Sequence, residues 1–587
     1  MNGCRRNLIY PGFALFGVLA MVFLGQTQLS APPDEAEQWA EKTLAGLTLE
    51  RKIGQMICAE IAGGYIAESD PRLQQWIRLA RDYGVGMFVL YGGTPRDVAH
   101  LLNRLQKEAE LPILMAADFE GGPGQQVSGA SEFPANMAFA AVGSEELMYE
   151  AAKIGAIEGR AMGIHLTYSP AVDISVRPEN PAESVRSFGG DLDLLSRLVR
   201  AYVRGYRDNG MLTTAKHFPG RGDVERLPGL PDFSWINKPA EAFEAQDSRA
   251  FKHAVDAGVA FIMTEHIAVP SVTDGSELPA SVERKLATDW VRDRLGFKGI
   301  LTTDDLWYDH VIKRFGPVEV ALKAVEAGHD IILKPKDVEA TIRGLVEAVK
   351  SGRISEARID QSVRRLLSWK ARLNLHRNRF VDEARLSSLV GTPEHLAVVQ
   401  KVADRSLTLL KNNGVLPVDV NKAGKIVNIS LQKGEADPSP AALGAKLAAA
   451  FPGIQNFSLR PDLDPAVYEK ARQAAAGADL VVLSLFVPRN RLGDAAPLRD
   501  SDLALIDRVI AAKPKAVIAM SYGNPHLLRK IGNVPAFLVG YGERGWFGNQ
   551  AAYFDSFIRL LRGEIKPQGR LPVKVSDTYP IGAGLSY

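Results

Sequence analysis

At 587 residues the chain is too long for a single hydrophobic core and calls for two domains, or one large barrel with a companion. Its 70 basic against 68 acidic residues exclude a strongly basic nucleic-acid binder, and a neutral, polar partner fits as well as any. Two cysteines, Cys4 and Cys58, in very different contexts indicate neither a disulfide framework nor a metal cluster.

At the N-terminus, Arg5 and Arg6 precede an apolar run from about Leu8 to Gly25. This asymmetry over residues 1–34 reads as a secretory signal or as a membrane anchor with its N-terminus inside. Ala31 is followed by Pro32 and Pro33, a poor context for cleavage, so both readings stay open. Either one places the protein outside the cytoplasm: in the periplasm, on the inner membrane facing it, or outside the cell.

Across residues 35–375, eight short apolar runs alternate with segments of helical period. The runs are Gly54–Ala59, Gly86–Tyr91, Pro112–Ala117, Ile164–Ser169, Met211–Ala215, Val259–Thr264, Gly299–Thr303 and Asp330–Leu333. Such alternation predicts an α/β chain whose first domain is a (β/α)8 TIM-like barrel. Polar side chains follow the runs at once: Asp118 the third, Asp173 the fourth, Lys216 and His217 the fifth, Glu265 and His266 the sixth, Asp304 and Asp305 the seventh. Strand ends in a barrel converge on one mouth, where the chemistry of this fold sits.

Residues 376–400 read as a linker, and residues 401–587 begin the alternation again. Strand candidates Ile426–Leu431, Gly453–Leu459, Leu480–Phe486, Ala516–Ser521 and Ala536–Val539, with a helix over Asp502–Ala511, predict a smaller doubly wound α/β sandwich. No glycine-rich phosphate loop accompanies it, so a nucleotide role has no support.

Several motifs together resemble glycoside hydrolase family 3, in its β-N-acetylhexosaminidase branch. They are Ala117-Asp118-Phe119-Glu120-Gly121-Gly122, Arg186-Ser187-Phe188-Gly189, Lys216-His217-Phe218-Pro219-Gly220 and the strand Gly299–Thr303 running into Asp304-Asp305-Leu306. Leu409-Leu410-Lys411-Asn412, Gly569-Arg570-Leu571-Pro572 and the closing Gly584-Leu585-Ser586-Tyr587 extend the resemblance to the second domain. Two-domain members of that family have a barrel followed by an α/β sandwich.

The resemblance implies a retaining glycosidase in which a carboxylate attacks the sugar and forms a glycosyl-enzyme. It implies Asp304 as nucleophile, and Asp118, Arg186, Lys216 and His217 as sugar-binding groups. His266 belongs to the same binding set, with a supporting role as its alternative, and Glu120 is as well read as a structural ligand of its loop. No cofactor or metal is implied. The implied partner is a carbohydrate, β-linked N-acetylhexosamine in peptidoglycan fragments or chitin-type glycans. Asp305 cannot share a face with Asp304 on extended backbone, so it orients neighbours or caps a helix. His165 and His329 read as packing residues.

The pattern breaks after Gly220. The resembling enzymes continue KHFPGHGxxxxDSH, ending on an Asp-His acid/base pair, whereas here Leu227, Pro228 and Gly229 hold the Asp-Ser-His positions. Loss of a general acid costs about 10²–10⁴-fold. Among nearby carboxyls (Asp223, Glu225, Asp232 and Glu265), Glu265 stands at a strand end and is the candidate acid/base. The alternatives are a substrate that needs little protonation, a glycosidase or phosphorylase of other specificity with a relocated acid, and a barrel that binds glycans without cleaving them. Pro228 and Pro231 predict a stiff loop; Trp235 either stacks on a sugar or is buried.

Overall fold

Continuous apolar runs suit strands buried on both faces, with side chains filling the barrel inside and helices covering it outside. In the barrel these strands are β1 (Ile57–Ala62), β2 (Met87–Tyr91), β3 (Leu114–Ala117), β4 (Leu166–Thr167) and β5 (Leu212–Phe218). After an excursion through β6 (Val224–Leu227) and β7 (Leu230–Ile236) come β8 (Phe261–Thr264), β9 (Ile267–Ala268), β10 (Ile300–Thr303) and β11 (Ile332–Leu333). The parallel order is β10-β8-β5-β4-β3-β2-β1-β11, and a parallel bridge between Thr302 and Ile331 joins the two ends. All eight predicted runs are therefore barrel strands. A computed structural model of the chain describes residues 32–175, 184–227, 229–418, 424–432, 437–461, 463–487, 496–512, 517–542 and 550–587.

Cys58, Met87, Leu114, Leu166, Phe261 and Ile300 form a cluster separate from the main core, as inward-facing barrel residues should. The helices carry ordinary sequence signals. In Pro95–Glu108, Thr94 accepts the Asp97 N–H, Pro95 opens the helix, and Val98, Leu101, Leu102 and Leu105 form the buried face.

The segment after Gly222, expected to be a loop, is a hairpin. β6 and β7 pair antiparallel, and β7 also pairs with β9. The two prolines hid it. Pro228 lies outside the described residues, and the ladder passes from Arg226↔Ser234 to Leu227↔Leu230, skipping Pro231, so no hydrogen bond is asked of its missing N–H. Trp235 is partly buried and packs against the main core.

The second domain is a six-stranded sheet of β12 (Thr408–Asn412), β13 (Ile426–Gln432), β14 (Gln455–Leu459), β15 (Leu480–Phe486), β16 (Val517–Ser521) and β17 (Ala536–Val539). Its order is β12-β17-β16-β15-β13-β14. The five predicted strands are present; β12, an antiparallel edge strand with a bulge, was not predicted.

Among the described residues three backbone bonds tie the domains: Ala135 N–H to Tyr541 O (3.1 Å), Gly190 N–H to Pro572 O (3.0 Å) and Arg570 N–H to Ala141 O (2.9 Å). The buried carboxylate of Glu158 adds a polar knot, accepting from Ser131 and from Gly391 N–H (3.0 Å) and lying 2.7 Å from His395 Nδ1. The leader or anchor expected over residues 1–34 falls almost wholly on residues that are not described, and no described helix is long and apolar enough to cross a membrane.

Candidate active site

The strand ends build two charged clusters at the mouth. In the first, Lys216 at the end of β5 places Nζ 2.7 Å from Asp118 Oδ1 and 2.7 Å from Glu120 Oε1, both just beyond β3. Arg186 grips Glu120 with two parallel bonds, Nε to Oε2 (2.8 Å) and Nη2 to Oε1 (2.7 Å), the strong geometry for this pair. Burial alone would raise the Glu120 pKa, but Arg186 and Lys216 outweigh it and bring it down to about 2. Burial likewise works against the Lys216 ammonium, and Asp118 and Glu120 overcome it, leaving its pKa raised.

His217 is held from two sides. Its Nδ1 lies 2.9 Å from Asp173 Oδ2 and its Nε2 lies 3.3 Å from Arg186 Nη2. A guanidinium can only donate, so Nε2 accepts and Nδ1 carries the proton toward Asp173. The Lys216–His217 peptide bond is cis.

Arg186 owes its position partly to the second domain. Its carbonyl accepts from Asn136 Nδ2 (2.8 Å), and Gly189, at φ 104°, lies against Pro572 so closely that a Cβ would stand 2.3 Å from the Pro572 oxygen. The glycine of the Arg-Ser-Phe-Gly motif is thus required twice over, for its backbone angle and for the space.

In the second cluster, β10 ends on Asp304, whose N–H donates to Thr264 O (2.7 Å). Its Oδ1 accepts the Asp305 N–H (2.7 Å) and its Oδ2 accepts Arg221 Nη2 (3.1 Å). The same Arg221 nitrogen bonds Glu265 Oε2, while Glu265 Oε1 accepts the His266 N–H (2.8 Å). Arg221 is anchored through its backbone N–H on Asp173 Oδ1 (2.8 Å), which links the two clusters. Burial pushes the Asp304 pKa up, but the Arg221 charge pulls it below the ordinary carboxylate value.

Asp305 points elsewhere. Its Oδ2 accepts from Trp307 Nε1 (3.0 Å) and pairs with Lys334 Nζ (3.0 Å). Burial and the neighbouring Asp304 charge push its pKa up to about 6, against the pull of Lys334. Asp305 thus orients neighbours, one of the two roles open to it.

His266 does not face the pocket as a binding group. Its Nδ1 lies 2.8 Å from Ser281 Oγ and its Nε2 3.0 Å from Asp305 O, so both ring nitrogens serve the scaffold. Burial lowers its pKa to about 4, which keeps the ring neutral. His165 accepts the Met115 N–H (3.0 Å), and His329 lies 2.7 Å from Thr264 Oγ1 and 2.9 Å from Ala324 O, both packing roles.

The structure therefore brings Asp118, Arg186, Lys216 and His217 together, and Glu265 with Asp304. Sequence reasoning placed Asp173 at the mouth but gave it no role, and it missed Arg221. Asp173 stood at a strand end, a usable signal; Arg221 stood in the anomalous segment, where nothing in its spacing pointed to Asp304.

Two family models match the chain: "Glycosyl hydrolase family 3 N terminal domain" over residues 48–369 and "Glycosyl hydrolase family 3 C-terminal domain" over residues 407–584. A "Beta-N-acetylglucosaminidase/beta-glucosidase" from Cellulomonas fimi is 31% identical over 71% of this chain and 73% of its own length. "Beta-glucosidase C" from Emericella nidulans is 27% identical over 90% of this chain and 86% of its own. Among solved structures, a family 3 β-N-acetylglucosaminidase from a Paenibacillus species superposes with a TM-score of 0.79 at 30% identity, covering 90% of this chain and 99% of that one.

Proposed function

The chain belongs to glycosyl hydrolase family 3, and from that premise we propose that it hydrolyses β-linked N-acetylhexosaminides with retention, using Asp304 as nucleophile. The observation that carries this reading is the shared Arg221 nitrogen between Asp304 and Glu265. Two oxygens bonded to one nitrogen lie no more than about 6 Å apart. Carboxyl pairs of retaining glycosidases are about 5–5.5 Å apart, those of inverting ones about 6.5–9.5 Å.

In this mechanism Asp118 accepts sugar hydroxyls, and the third ammonium proton of Lys216, beyond the two aimed at Asp118 and Glu120, meets a sugar oxygen. Arg186 and His217 complete that wall. An Asp304 oxygen attacks C1, the bond from C1 to the leaving oxygen breaks, and the departing oxygen takes up a proton, leaving a glycosyl ester on Asp304. Water then attacks C1, the Asp304 oxygen leaves, and the water proton passes to a base.

Both Glu265 oxygens act as acceptors, one from Arg221 and one from the His266 N–H, which is the arrangement of a carboxylate. That equips Glu265 as the base of the second step and leaves the first step weakly assisted. Turnover should therefore fall steeply as the leaving group becomes poorer.

The Cellulomonas fimi relative, named for both activities, favours a β-glucoside as second substrate. The N-terminal basic and apolar segment supports action outside the cytoplasm, which cell fractionation would test. The functional test is an assay on aryl β-N-acetylglucosaminides with good and poor leaving groups, beside aryl β-glucosides, with wild type and Asp304→Asn. The reading expects the acetamido sugar to be preferred, with steep leaving-group dependence and a loss of about 10⁴-fold or more in the variant. An unaffected variant would remove Asp304 from the chemistry, and absence of turnover would favour glycan binding without cleavage.

A further inference from the structure

The β6–β7 hairpin, which no step of the mechanism uses, borders both members of the carboxylate pair. Arg221, bonded to Asp304 and Glu265, stands just before β6. On the other side Ser234 and Trp235 of β7 pair with Ile267 and Ala268 of β9, the short strand that follows Glu265 and His266.

One buried cation fastens the base of this hairpin. Lys238, just past β7, puts Nζ 2.8 Å from Asp223 Oδ2 at the entry to β6, and 2.7 Å from Asp247 Oδ2 on the helical turn Glu244–Ser248. The Lys238 side chain is 8% exposed and that of Asp247 is fully buried. Burial works against the ammonium, and Asp247 with Asp223 outweighs it, so the Lys238 pKa is raised. Removing one member of such a group leaves the other charges buried without their partner, so the segments it joined lose their common anchor. The chain between fastening and site has little room to absorb a shift. Gly222 lies so close to Ile174 that a Cβ would overlap the Ile174 oxygen, and the Arg221 N–H is held by Asp173. Farther out, the Phe233 ring meets His310 at 4.9 Å and Phe315 at 6.3 Å, both edge-on, and Arg314 lies 4.8 Å from its centre.

We propose that Lys238 is a positioning residue for the reaction: by tying the entry and exit of the hairpin to Asp247, it holds Arg221 on Asp304 and Glu265. This rests on the reading of Asp304 as nucleophile, with Arg221 as the cation that keeps it ionised. The polar partners of Lys238 are Asp223, Gln246 and Asp247, so it reaches the carboxylate pair only through residues 220–223 and the hairpin. The other charged or titratable groups about Asp304 are Asp305, Glu265, His266 and Lys216, and a change at Lys238 removes none of them.

The test records pH profiles of kcat/KM on an aryl β-N-acetylglucosaminide for wild type, Lys238→Met, Lys238→Arg, Arg221→Met and the double variant, with amide hydrogen exchange of each. Lys238→Met should move the acid limb about 1 unit to higher pH, the lower end for a cation withdrawn from a carboxylate, and reduce kcat/KM at the optimum about 10–100-fold. Lys238→Arg should restore both, and in the Arg221→Met background Lys238→Met should move the limb no further. An unmoved limb in folded Lys238→Met, beside a shifted one in Arg221→Met, overturns the positioning role alone, and so does a shift of equal size with and without Arg221. An unmoved limb in Arg221→Met is the distinct failure of the Asp304 and Arg221 reading, and the proposal falls with it. If Lys238→Met does not fold, Asp223→Asn, which spares the Lys238–Asp247 pair, is judged by the same outcomes. If wild type turns over nothing, exchange decides: faster exchange over residues 217–227 and 265–268 in Lys238→Met, reversed in Lys238→Arg, supports the fastening, and unchanged exchange overturns it.

Discussion

Arg221 donates to Asp304 across 3.1 Å, and the same guanidinium nitrogen bonds Glu265, so one cation organises both carboxylates of the candidate catalytic pair. Its charge is the main influence holding the Asp304 pKa down against burial. A nucleophilic carboxylate works only when ionised, so activity is lost as pH falls through its pKa. Arg221→Met removes the cation and should move the acid limb of the kcat/KM profile to higher pH. A limb that stays in place would mean that Asp304 is held ionised by something else.

Glu120 makes a stability prediction with a definite sign. Its folded pKa of about 2 lies below the ordinary value of 4.5, so the stability it contributes is present above 4.5 and lost as pH falls toward 2. Glu120→Gln leaves Arg186 and Lys216 without their shared anion and should cost about 3–5 kcal/mol at neutral pH, as for a broken buried pair. Denaturant unfolding of both proteins from pH 7 to 2.5 should show that gap narrowing only below about pH 4.5.

Gly189 couples the second domain to the pocket. An added Cβ would meet the Pro572 oxygen at 2.3 Å and hold an L residue at φ 104°. Gly189→Ala should raise KM about tenfold or more by displacing Arg186, and should destabilise the protein by about 1–3 kcal/mol. Steady-state kinetics with thermal unfolding checks both; normal KM in a fully folded variant would uncouple the domain from the site.

Asp305 should titrate where Trp307 can report it. With its pKa pushed up to about 6, Asp305 exchanges a carboxylate for a carboxylic acid at the Trp307 N–H across mildly acidic pH. The fluorescence difference between wild type and Trp307→Phe should therefore titrate near pH 6. In an Asp305→Asn background that transition should vanish.

The barrel was legible because burial on both faces writes each strand as an unbroken apolar run, and because the mouth residues follow those runs directly. Asp118, Lys216 and Asp304 could be placed at one mouth from that order alone. The hairpin after Gly222 was not legible, since Pro228 and Pro231 signal a breaker and only the register shows that the ladder bypasses Pro231. Strand β12 was hidden because an antiparallel edge strand is specified by its partner β17, far along the chain. Arg221 was hidden for a similar reason: it meets Asp304 across 83 positions, and no local pattern records that encounter. His266 shows the converse, a strand-end residue whose ring is wholly occupied by Ser281 and the Asp305 carbonyl.

Whether Asp304 attacks the sugar is decided by trapping its glycosyl ester. Wild-type protein would be incubated with a fluorinated N-acetylglucosaminyl fluoride that slows the second step, digested, and mapped by mass spectrometry. A single glycosyl adduct is expected on the peptide containing Asp304, at that residue, and none in Asp304→Asn. An adduct on another carboxylate, or continued turnover of the fluoride by Asp304→Asn at the wild-type rate, would contradict it.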